Sequence, residues 1–263
     1  MIEIMSNVTL RPAQRSDIPR LASIANAANA QSALHKRFAP YQNEYPLDYY
    51  HWRLNLIRER FATPDLRTVV AVDSCGAILG LASWAIEGKD TALYKEWVRQ
   101  STWWNWLEGK LVGLERTYCR WLADKSIDYV FLNSFLAAFL GPNKPARPAC
   151  LHLHLIVVDP MAQSRGAGRM LVDWGKELAV REGLPVYLEA NLEATGFYKK
   201  QGFRRLGKDM VVSPNGQERF AIPVFLWEGK EREGRWLEND GEFEGEERWK
   251  WREDVLLKNS DVS

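Results

Sequence analysis

The chain has 263 residues, of which 46% are hydrophobic and 26% are charged, and its formal net charge is +1. This profile is typical of a globular protein with one large domain, or with one domain that carries a long insertion. A net charge so close to zero disfavours nucleic acid and anionic membranes as general partners.

Neither the N-terminus nor the apolar stretches have the pattern of a targeting or membrane-spanning segment. Residues 1–14 lack a basic region followed by a long apolar core, so no signal peptide is expected. The longest apolar stretch, 129–141, is interrupted and too short to span a bilayer. The three cysteines form neither a CxxC pair nor a disulfide framework, which fits a reducing compartment. We therefore expect an intracellular protein, cytoplasmic or nuclear, that binds neither nucleic acid nor membranes.

Strand and helix signals alternate along both ends of the chain. Before residue 87 the patterns predict, in order, a strand at 7–13, a helix from Asp17, a helix at 47–62, and a hairpin of strands at 67–73 and 77–86. From residue 151 they predict a strand at 151–158, a helix to about Glu182, a strand at 185–190, a short helix around Tyr198, and a closing pair of strands at 204–212 and 219–227 about a turn at 214–216.

Two segments fall outside this alternation. Residues 87–148 have a helical pattern with five tryptophans between Trp97 and Trp121, which we expect to pack mostly onto the central sheet. Residues 228–263 are mostly charged and spaced by glycines, a composition typical of a mobile or loosely docked tail, but three tryptophans (Trp236, Trp249 and Trp251) suggest that it packs at an unpredicted place. The sequence thus predicts one domain over 1–227, with a helical insertion at about 87–148, and a tail over 228–263.

A glycine loop follows the strand at 151–158. Gly166 and Gly168 stand where the next helix begins, so its free N–H groups and its dipole would converge on one spot. Glycine lets the backbone approach a phosphate closely, and Arg165 and Arg169 would add positive charge. The loop therefore predicts an anion site, although an ordinary strand-to-helix connection has the same short pattern.

A dinucleotide-binding fold is one alternative for this loop. Glu189 lies 21 residues after Gly168, about where that fold has its acidic residue. However, Leu171 replaces the third glycine, and residues 159–165 separate the strand from Gly166. The dinucleotide interpretation is therefore the weaker one.

Two motifs carry a resemblance to a known family. The first has the spacing V-x-P-x-x-[RQ]-x-x-G-x-G/A-x-x-L and consists of Val158, Pro160, Gln163, Gly166, Gly168 and Leu171. The second has the spacing N-x-x-A-x-x-x-Y-x-x-x-G-F and consists of Asn191, Ala194, Tyr198, Gly202 and Phe203. Through these motifs, residues 150–226 resemble the GNAT superfamily of acetyl-coenzyme A (acetyl-CoA)-dependent N-acetyltransferases. The resemblance implies an α/β (α+β) fold with a mixed, mostly antiparallel central sheet, splayed fourth and fifth strands, and flanking helices.

The resemblance also implies how acetyl-CoA would bind. Backbone amides of the loop would hold the pyrophosphate; the loop consists of Gln163, Ser164, Arg165, Gly166, Ala167, Gly168 and Arg169. The segment Ile156, Val157 and Val158 would line the slot for pantetheine, with main-chain groups of Ile156 and Val158 pairing with it. Asn191 would bond the pantetheine arm, and Tyr198 would protonate the departing thiolate.

Acetyl transfer to an amine also needs a base, because an amine attacks only when it is neutral. The candidates are His154 first and Glu189 second, together with His152 on the same face of the strand as His154. His154 would be close to the reaction centre if the strand bulges near Ile156. No metal is expected, because few histidines and no carboxylate accompany this pair in the sequence.

These features predict direct acetyl transfer to an amine of a small molecule or a peptide. The helix at 47–62 falls where this fold often builds its acceptor pocket, and its basic stripe of Arg53, Arg58 and Arg60 is interpreted as a solvated face. Part of the insertion would border the acceptor site. The alternatives are a degenerate acyl-CoA-binding module and a protein-interaction module. The acceptor and the oligomeric state are not predicted.

Overall fold

The structure, a computed structural model, describes residues 8–140, 147–212, 220–243 and 245–260. Its strands are β1 (Thr9–Pro12), β2 (Leu66–Val72), β3 (Ile78–Glu87), β4 (Cys150–Val158), β5 (Val186–Glu189), β6 (Arg204–Arg205), β7 (Met210–Val212), β8 (Phe220–Ile222), β9 (Val224–Trp227), β10 (Leu237–Phe243) and β11 (Glu246–Trp251). Its α-helices are α1 (Ile18–Asn29), α2 (Ala33–Phe38), α3 (Pro46–Ala62), α4 (Ala92–Arg99), α5 (Trp103–Tyr118), α6 (Tyr129–Leu140), α7 (Ala167–Glu182), α8 (Thr195–Lys200) and α9 (Glu253–Ser260).

A seven-stranded central sheet organises the molecule, with the strand order β1-β2-β3-β4-β5-β9-β6. Each neighbouring pair is antiparallel except β4 and β5, which are parallel. These two strands pair only where Leu151–Leu153 faces Val186–Leu188, although β4 continues to Val158. The predicted mixed sheet with splayed fourth and fifth strands is therefore confirmed.

A β-bulge interrupts β4 at His154. Ser83 of β3 faces Leu155 and the next residue, Trp84, faces Leu153, so His154 is the extra residue on β4. A bulge bends its strand and increases the local twist. The bulge thus lies two residues before Ile156, at the point where β4 leaves β5.

Helices cover both faces of the sheet. On one face α1 and α3 bury an apolar stripe that includes Leu21, Ile24 and Ile57. On the other face α7 approaches β3 so closely that a Cβ on Gly175 would lie 2.2 Å from the ring of Trp84. Gly175 therefore sets the distance between α7 and the sheet.

Most tryptophans of the helical insertion do not pack onto the central sheet as expected. Trp97 packs into the main core and is 6% exposed. The other four are exposed to between 60% and 74%, namely Trp103, Trp104, Trp106 and Trp121. The expectation that most of them pack onto the sheet is wrong, because α5 packs against α3 and turns its aromatic face outwards.

The C-terminal segment is docked rather than loose. Its hairpin, β10–β11, packs against the sheet through Trp236 and Leu237, which are 6% and 2% exposed. Trp251 stacks parallel to Tyr187 of β5 with ring centroids 6.5 Å apart. The charged composition favoured a mobile or loosely docked tail; the packing that its tryptophans suggested is what the structure has, with Trp236 and Trp251 against the sheet.

The predicted closing pair of strands is divided in two. β7 and β8 form a separate two-stranded sheet, whereas β9 enters the central sheet between β5 and β6. Pro223 separates β8 from β9, and the predicted turn at 214–216 lies outside the described residues. In the described part of the chain, no helix has the length and apolarity needed to cross a membrane.

Candidate active site

The glycine loop presents free backbone amides at the start of α7. Gly166 precedes the helix with φ 84°, and no side chain caps the helix there. The N–H groups of the first helical turn therefore lack an intrahelical partner. A Cβ on Gly166 would meet no atom within 4 Å, so the space in front of it is open.

The loop before Gly166 is held by Asp159. Its carboxylate accepts the N–H of Met161 at 2.9 Å and ion-pairs with Arg20 at 2.5 Å. Ser164 has the positive φ of 63°, which is uncommon for a residue other than glycine. Most of the predicted phosphate-binding residues are exposed here, namely Gln163, Ser164, Arg165, Gly166 and Arg169, whereas Ala167 is buried and Gly168 partly so.

The splayed part of β4 has one open edge. Asp159 donates its N–H to the carbonyl of Leu79 on β3 at 2.8 Å. Because successive strand residues point their N–H groups to opposite edges, those of Ile156 and Val158 point away from β3. Among the described residues, no strand pairs with this part of that edge. Val157 lies between them and buries its side chain beneath α1 and α3.

Asn191 and Tyr198, the two residues of the second motif to which a role was assigned, lie past the end of β5. Asn191 contacts Ser32 at the start of α2, with Nδ2 and Oγ 3.4 Å apart. Tyr198 on α8 is 5% exposed and packs among Phe197, Phe203 and Phe225. Burial raises the pKa of the Tyr198 hydroxyl, so that it keeps its proton at neutral pH.

Four charged residues form a buried group that we call the charged cluster, consisting of Glu87, Arg147, His152 and Glu189. His152 lies between the two carboxylates, with Nδ1 2.8 Å from Glu87 and Nε2 2.6 Å from Glu189. Arg147, whose side chain is 4% exposed, reaches the same two carboxylates at 3.3 and 3.4 Å. Although burial opposes protonation, Glu189 and Glu87 raise the pKa of His152. Both ring nitrogens of His152 face carboxylates, an arrangement that its protonated form fits, so the cluster combines two basic with two acidic side chains.

Glu189 is fully engaged within this cluster. Its carboxylate interacts with His152, Arg147 and the hydroxyl of Tyr187. Although burial opposes its charge, His152 and Arg147 hold the pKa of Glu189 below its usual value. It remains a carboxylate, but its oxygens already accept from these neighbours.

His154, at the bulge, has a lowered pKa, in contrast to the raised pKa of His152. Its side chain is exposed on one side, and its ring centroid lies 4.2 Å from that of His152. Desolvation by the surrounding protein, and then the charges of His152 and Arg60, lower the pKa of His154 well below the value for free histidine. His154 is therefore neutral at pH 7 and has a nitrogen lone pair available.

Three side chains of this site are close enough together to ligate a metal ion. The ligand atoms of Glu87, His152 and His154 all lie within 4.8 Å of one another. However, both ring nitrogens of His152 already contact carboxylates, so metal binding would require one of these contacts to break. The absence of a metal stays a prediction.

The basic stripe on α3 is not a solvated face, contrary to the sequence interpretation. Arg53 is 4% exposed, and it stacks over the ring of Trp52 at 4.9 Å. The Nε atom of Arg60 is buried and has no hydrogen-bond partner. Arg58, by contrast, is partly exposed and pairs with Glu115 at 2.6 Å. A helical wheel places Arg53 and Arg60 at the edge of the apolar stripe, a signal that could have separated them from Arg58.

Sequence reasoning missed the partners of the histidines. Glu87 and Arg147 lie at the two ends of the insertion, 65 residues before His152 and 42 residues before Glu189 respectively. No motif links residues at such separations, and only the ladder of β3, β4 and β5 brings them together.

Comparison with known proteins assigns the fold and the family. The model of the acetyltransferase (GNAT) family matches residues 30–203. An uncharacterised N-acetyltransferase of Schizosaccharomyces pombe is 23% identical over 205 residues, which cover 74% of this chain and 80% of the relative. The peptidyl-lysine N-acetyltransferase YjaB of Salmonella typhimurium is 39% identical over 61 residues, covering 23% of this chain and 41% of the relative.

A solved structure extends the likeness to most of the chain. The protein described as histone acetyltransferase HPA2 and related acetyltransferase, from Corynebacterium glutamicum, superposes with a TM-score of 0.54 at 20% identity. The superposition covers 84% of this chain and 94% of that chain, which shows a shared fold. Since the family model spans more than half of the sequence and includes both motifs, the chain belongs to the GNAT family of acetyl-CoA-dependent acetyltransferases.

Proposed function

We propose that the protein transfers the acetyl group of acetyl-CoA directly to the amine of an acceptor. The open edge of β4 carries this proposal. The N–H groups of Ile156 and Val158 face a gap between two strands, and the gap leads to the uncapped start of α7. A pantetheine arm would fit the gap as an extra strand, with its pyrophosphate on the amides of residues 163–169.

The slot would also stabilise the transition state. When the amine nitrogen attacks the thioester carbon, negative charge develops on the carbonyl oxygen. A backbone N–H that points into the slot, from Ile156 or Val158, can donate a hydrogen bond to that oxygen. Asn191, at the end of β5, would bind the pantetheine arm from the other side of the gap.

Two side chains would move the protons. His154 is neutral and exposed, so it would take the proton that the attacking amine loses. As the carbon–sulfur bond breaks, the hydroxyl of Tyr198 would give its proton to the thiolate. The products are an N-acetyl amide and the free thiol of CoA. Glu189 would hold His152 in place, because its oxygens are already occupied.

Thermal unfolding with ligands tests the donor site. A ligand at 100 times its dissociation constant stabilises a fold by about 2.7 kcal/mol, which corresponds to a shift in Tm of about 5–10 °C here. We expect this shift with acetyl-CoA and CoA but not with NADH. No shift with any of the three would contradict the donor site and favour an interaction module.

Two matched variants separate ligand contact from backbone strain. Gly166→Leu would put a side chain where the phosphate binds and should abolish the shift. Gly76 lies in the β2–β3 turn with nearly the same φ, 81°, and also has open space around it. Gly76→Leu therefore imposes similar strain and should keep the shift. Equal ligand responses of the two variants would refute the placement of the phosphate.

A further inference from the structure

The helix α5 turns its apolar side away from the rest of the protein. Steps of three, four or seven residues relate its large apolar side chains, so they lie along one side of the helix. Six of them are exposed to between 53% and 69%, namely Trp103, Trp104, Trp106, Leu111, Leu114 and Tyr118. Trp121, in the π-helical turn Cys119–Ala123 that continues α5, is 74% exposed. We call these seven side chains the aromatic face.

The polar side of α5 faces α3 instead. Glu115 pairs with Arg58 of α3 at 2.6 Å, and Arg116 pairs with Glu59 of the same helix. Val112 is the one residue of α5 that is buried. A surface helix normally buries its apolar stripe and exposes its charges, and α5 does the reverse.

The charged side chains beside the aromatic face are cations. Lys110 is exposed, and its Nζ atom lies 5.9 Å from the ring centroid of Trp106. Arg120 is also exposed, and its guanidinium lies 5.8 Å from the ring centroid of Trp121. Within the described ranges, neither cation forms an ion pair with a carboxylate. The face therefore combines aromatic rings with positive charge.

The neighbouring acids in the sequence are engaged elsewhere. Glu108 pairs with Arg15, and Glu115 with α3 as described above. The carboxylate of Asp124 accepts hydrogen bonds from the hydroxyls of Ser126 and Tyr129 at 2.8 and 2.7 Å. A partner that covers the aromatic face would thus meet two cations whose charge these acids leave unpaired.

The size of this face indicates that it has a partner. Seven large side chains that are more than half exposed present roughly 800 Å². The largest apolar patch on a typical monomer covers only about 300–600 Å², and larger ones mark sites for proteins or membranes.

Charge distinguishes between two possible occupants of the face. A second copy of this chain would bring Lys110 and Arg120 of both molecules together without an acid between them, which disfavours the pairing. An anionic bilayer supplies negative charge to the cations. Its interface also accommodates tryptophan and tyrosine, whose rings are apolar at one end and polar at the other. The bilayer is therefore the better match.

We propose that the aromatic face docks the protein on the surface of an anionic phospholipid bilayer. The helix would lie along the surface over about 27 Å, from Trp103 to Trp121, with its rings at the boundary between headgroups and acyl chains. Lys110 and Arg120 would then reach the lipid phosphates. The net charge of +1 disfavoured membranes as general partners, but it averages over the whole surface, whereas this face carries cations.

Co-sedimentation of the full chain with vesicles measures this binding. One set of vesicles is phosphatidylcholine alone, and the other contains about 30% phosphatidylserine. We expect about 10- to 30-fold tighter binding to the second set, because each cation near an anionic surface contributes about fivefold. Binding should weaken as the salt concentration rises. Brominated lipids should quench the tryptophan fluorescence, which reports entry of the rings into the bilayer.

A pair of double variants tests the aromatic contribution. Trp103→Gln/Trp106→Gln should weaken binding to the phosphatidylserine vesicles by about 100-fold. The Tm should stay within about 2 °C of the wild-type value, because both side chains are exposed. Val180→Gln/Val211→Gln removes two exposed apolar side chains outside the face and should bind as the wild type does.

A second pair tests the charges. Lys110→Gln/Arg120→Gln should lower the preference for phosphatidylserine to about onefold. Arg181→Gln/Lys230→Gln removes the same charge at the other face of the sheet, where α7 lies and where a Cβ on Gly229 would be 3.4 Å from α7. This control should keep the preference.

Three results would overturn the inference. The first is that the wild type binds neither kind of vesicle, and the second is that the preference persists in Lys110→Gln/Arg120→Gln. The third is a dimer, detected by light scattering, that Trp103→Gln/Trp106→Gln converts to a monomer while vesicles remain unbound; a second copy would then cover the face. None of these measurements requires turnover, so they are independent of the acetyl transfer proposed above.

Discussion

Replacing Glu189 by glutamine should destabilise the fold strongly, because it leaves two buried cations with one anion. The side chains of Glu189, Arg147 and His152 are 9%, 4% and 8% exposed, so water cannot replace the lost carboxylate. The amide of glutamine can accept from one neighbour, but its NH2 group would face a second donor. Removing one partner of a buried ion pair costs about 3–5 kcal/mol. For a chain of this size we expect Tm to fall by about 6–20 °C.

The pH dependence of the stability loss in Glu189→Gln identifies its physical cause. In the wild type the pKa of His152 is raised by folding, so its protonation stabilises the native state below about pH 6.5. This contribution disappears as the pH rises through the folded-state pKa of His152. In Glu189→Gln the pKa of His152 is lower than in the wild type, because one of the two carboxylates that raise it is gone. The difference in the free energy of unfolding between the two proteins should therefore be largest near pH 6 and smaller at pH 9.

Urea unfolding followed by circular dichroism at several pH values measures this difference. Glu182→Gln is the control, since Glu182 pairs with the exposed Arg181 and its loss should cost less than about 1 kcal/mol. If the free energy of unfolding of Glu189→Gln lies within about 1 kcal/mol of the wild-type value at pH 6, the charged cluster does not stabilise the fold.

Two further variants test the acid and the docked hairpin. Tyr198→Phe should lower kcat by about 100-fold or more without changing the affinity for CoA, and full activity would remove Tyr198 as the acid. Trp236→Ala should cost about 3–5 kcal/mol in urea unfolding because Trp236 fills the core between the hairpin and the sheet. Trp121→Ala, at a side chain that is 74% exposed, should cost less than about 0.5 kcal/mol, and equal losses would contradict the docking of the hairpin.

Local patterns in the sequence were sufficient to predict most strands of the central sheet and most of the helices that cover it. The alternation of apolar residues predicts β2, β3 and β4, and Gly183 ends α7 with φ 71°, as its position after Glu182 indicated. At the glycine loop, α7 begins directly after Gly166, as the sequence indicated, whereas the binding of a phosphate there stays a prediction. These features depend on a few neighbouring residues, which is why sequence alone reveals them.

Features that depend on distant contacts were not predictable in the same way. The tail has the composition of a disordered segment, yet Trp236 and Leu237 anchor it to β5 and β9. The tryptophans of α5 have the composition of a core, yet four in the insertion are exposed. In both cases the average composition predicted the wrong state, since a few specific contacts decide whether a segment packs.

The two histidines of β4 show how such distant contacts determine chemistry. His152 and His154 are two residues apart, and the sequence gives no reason to assign them different protonation states. Glu189 and Glu87 raise the pKa of His152, whereas desolvation, and then the charges of His152 and Arg60, lower the pKa of His154.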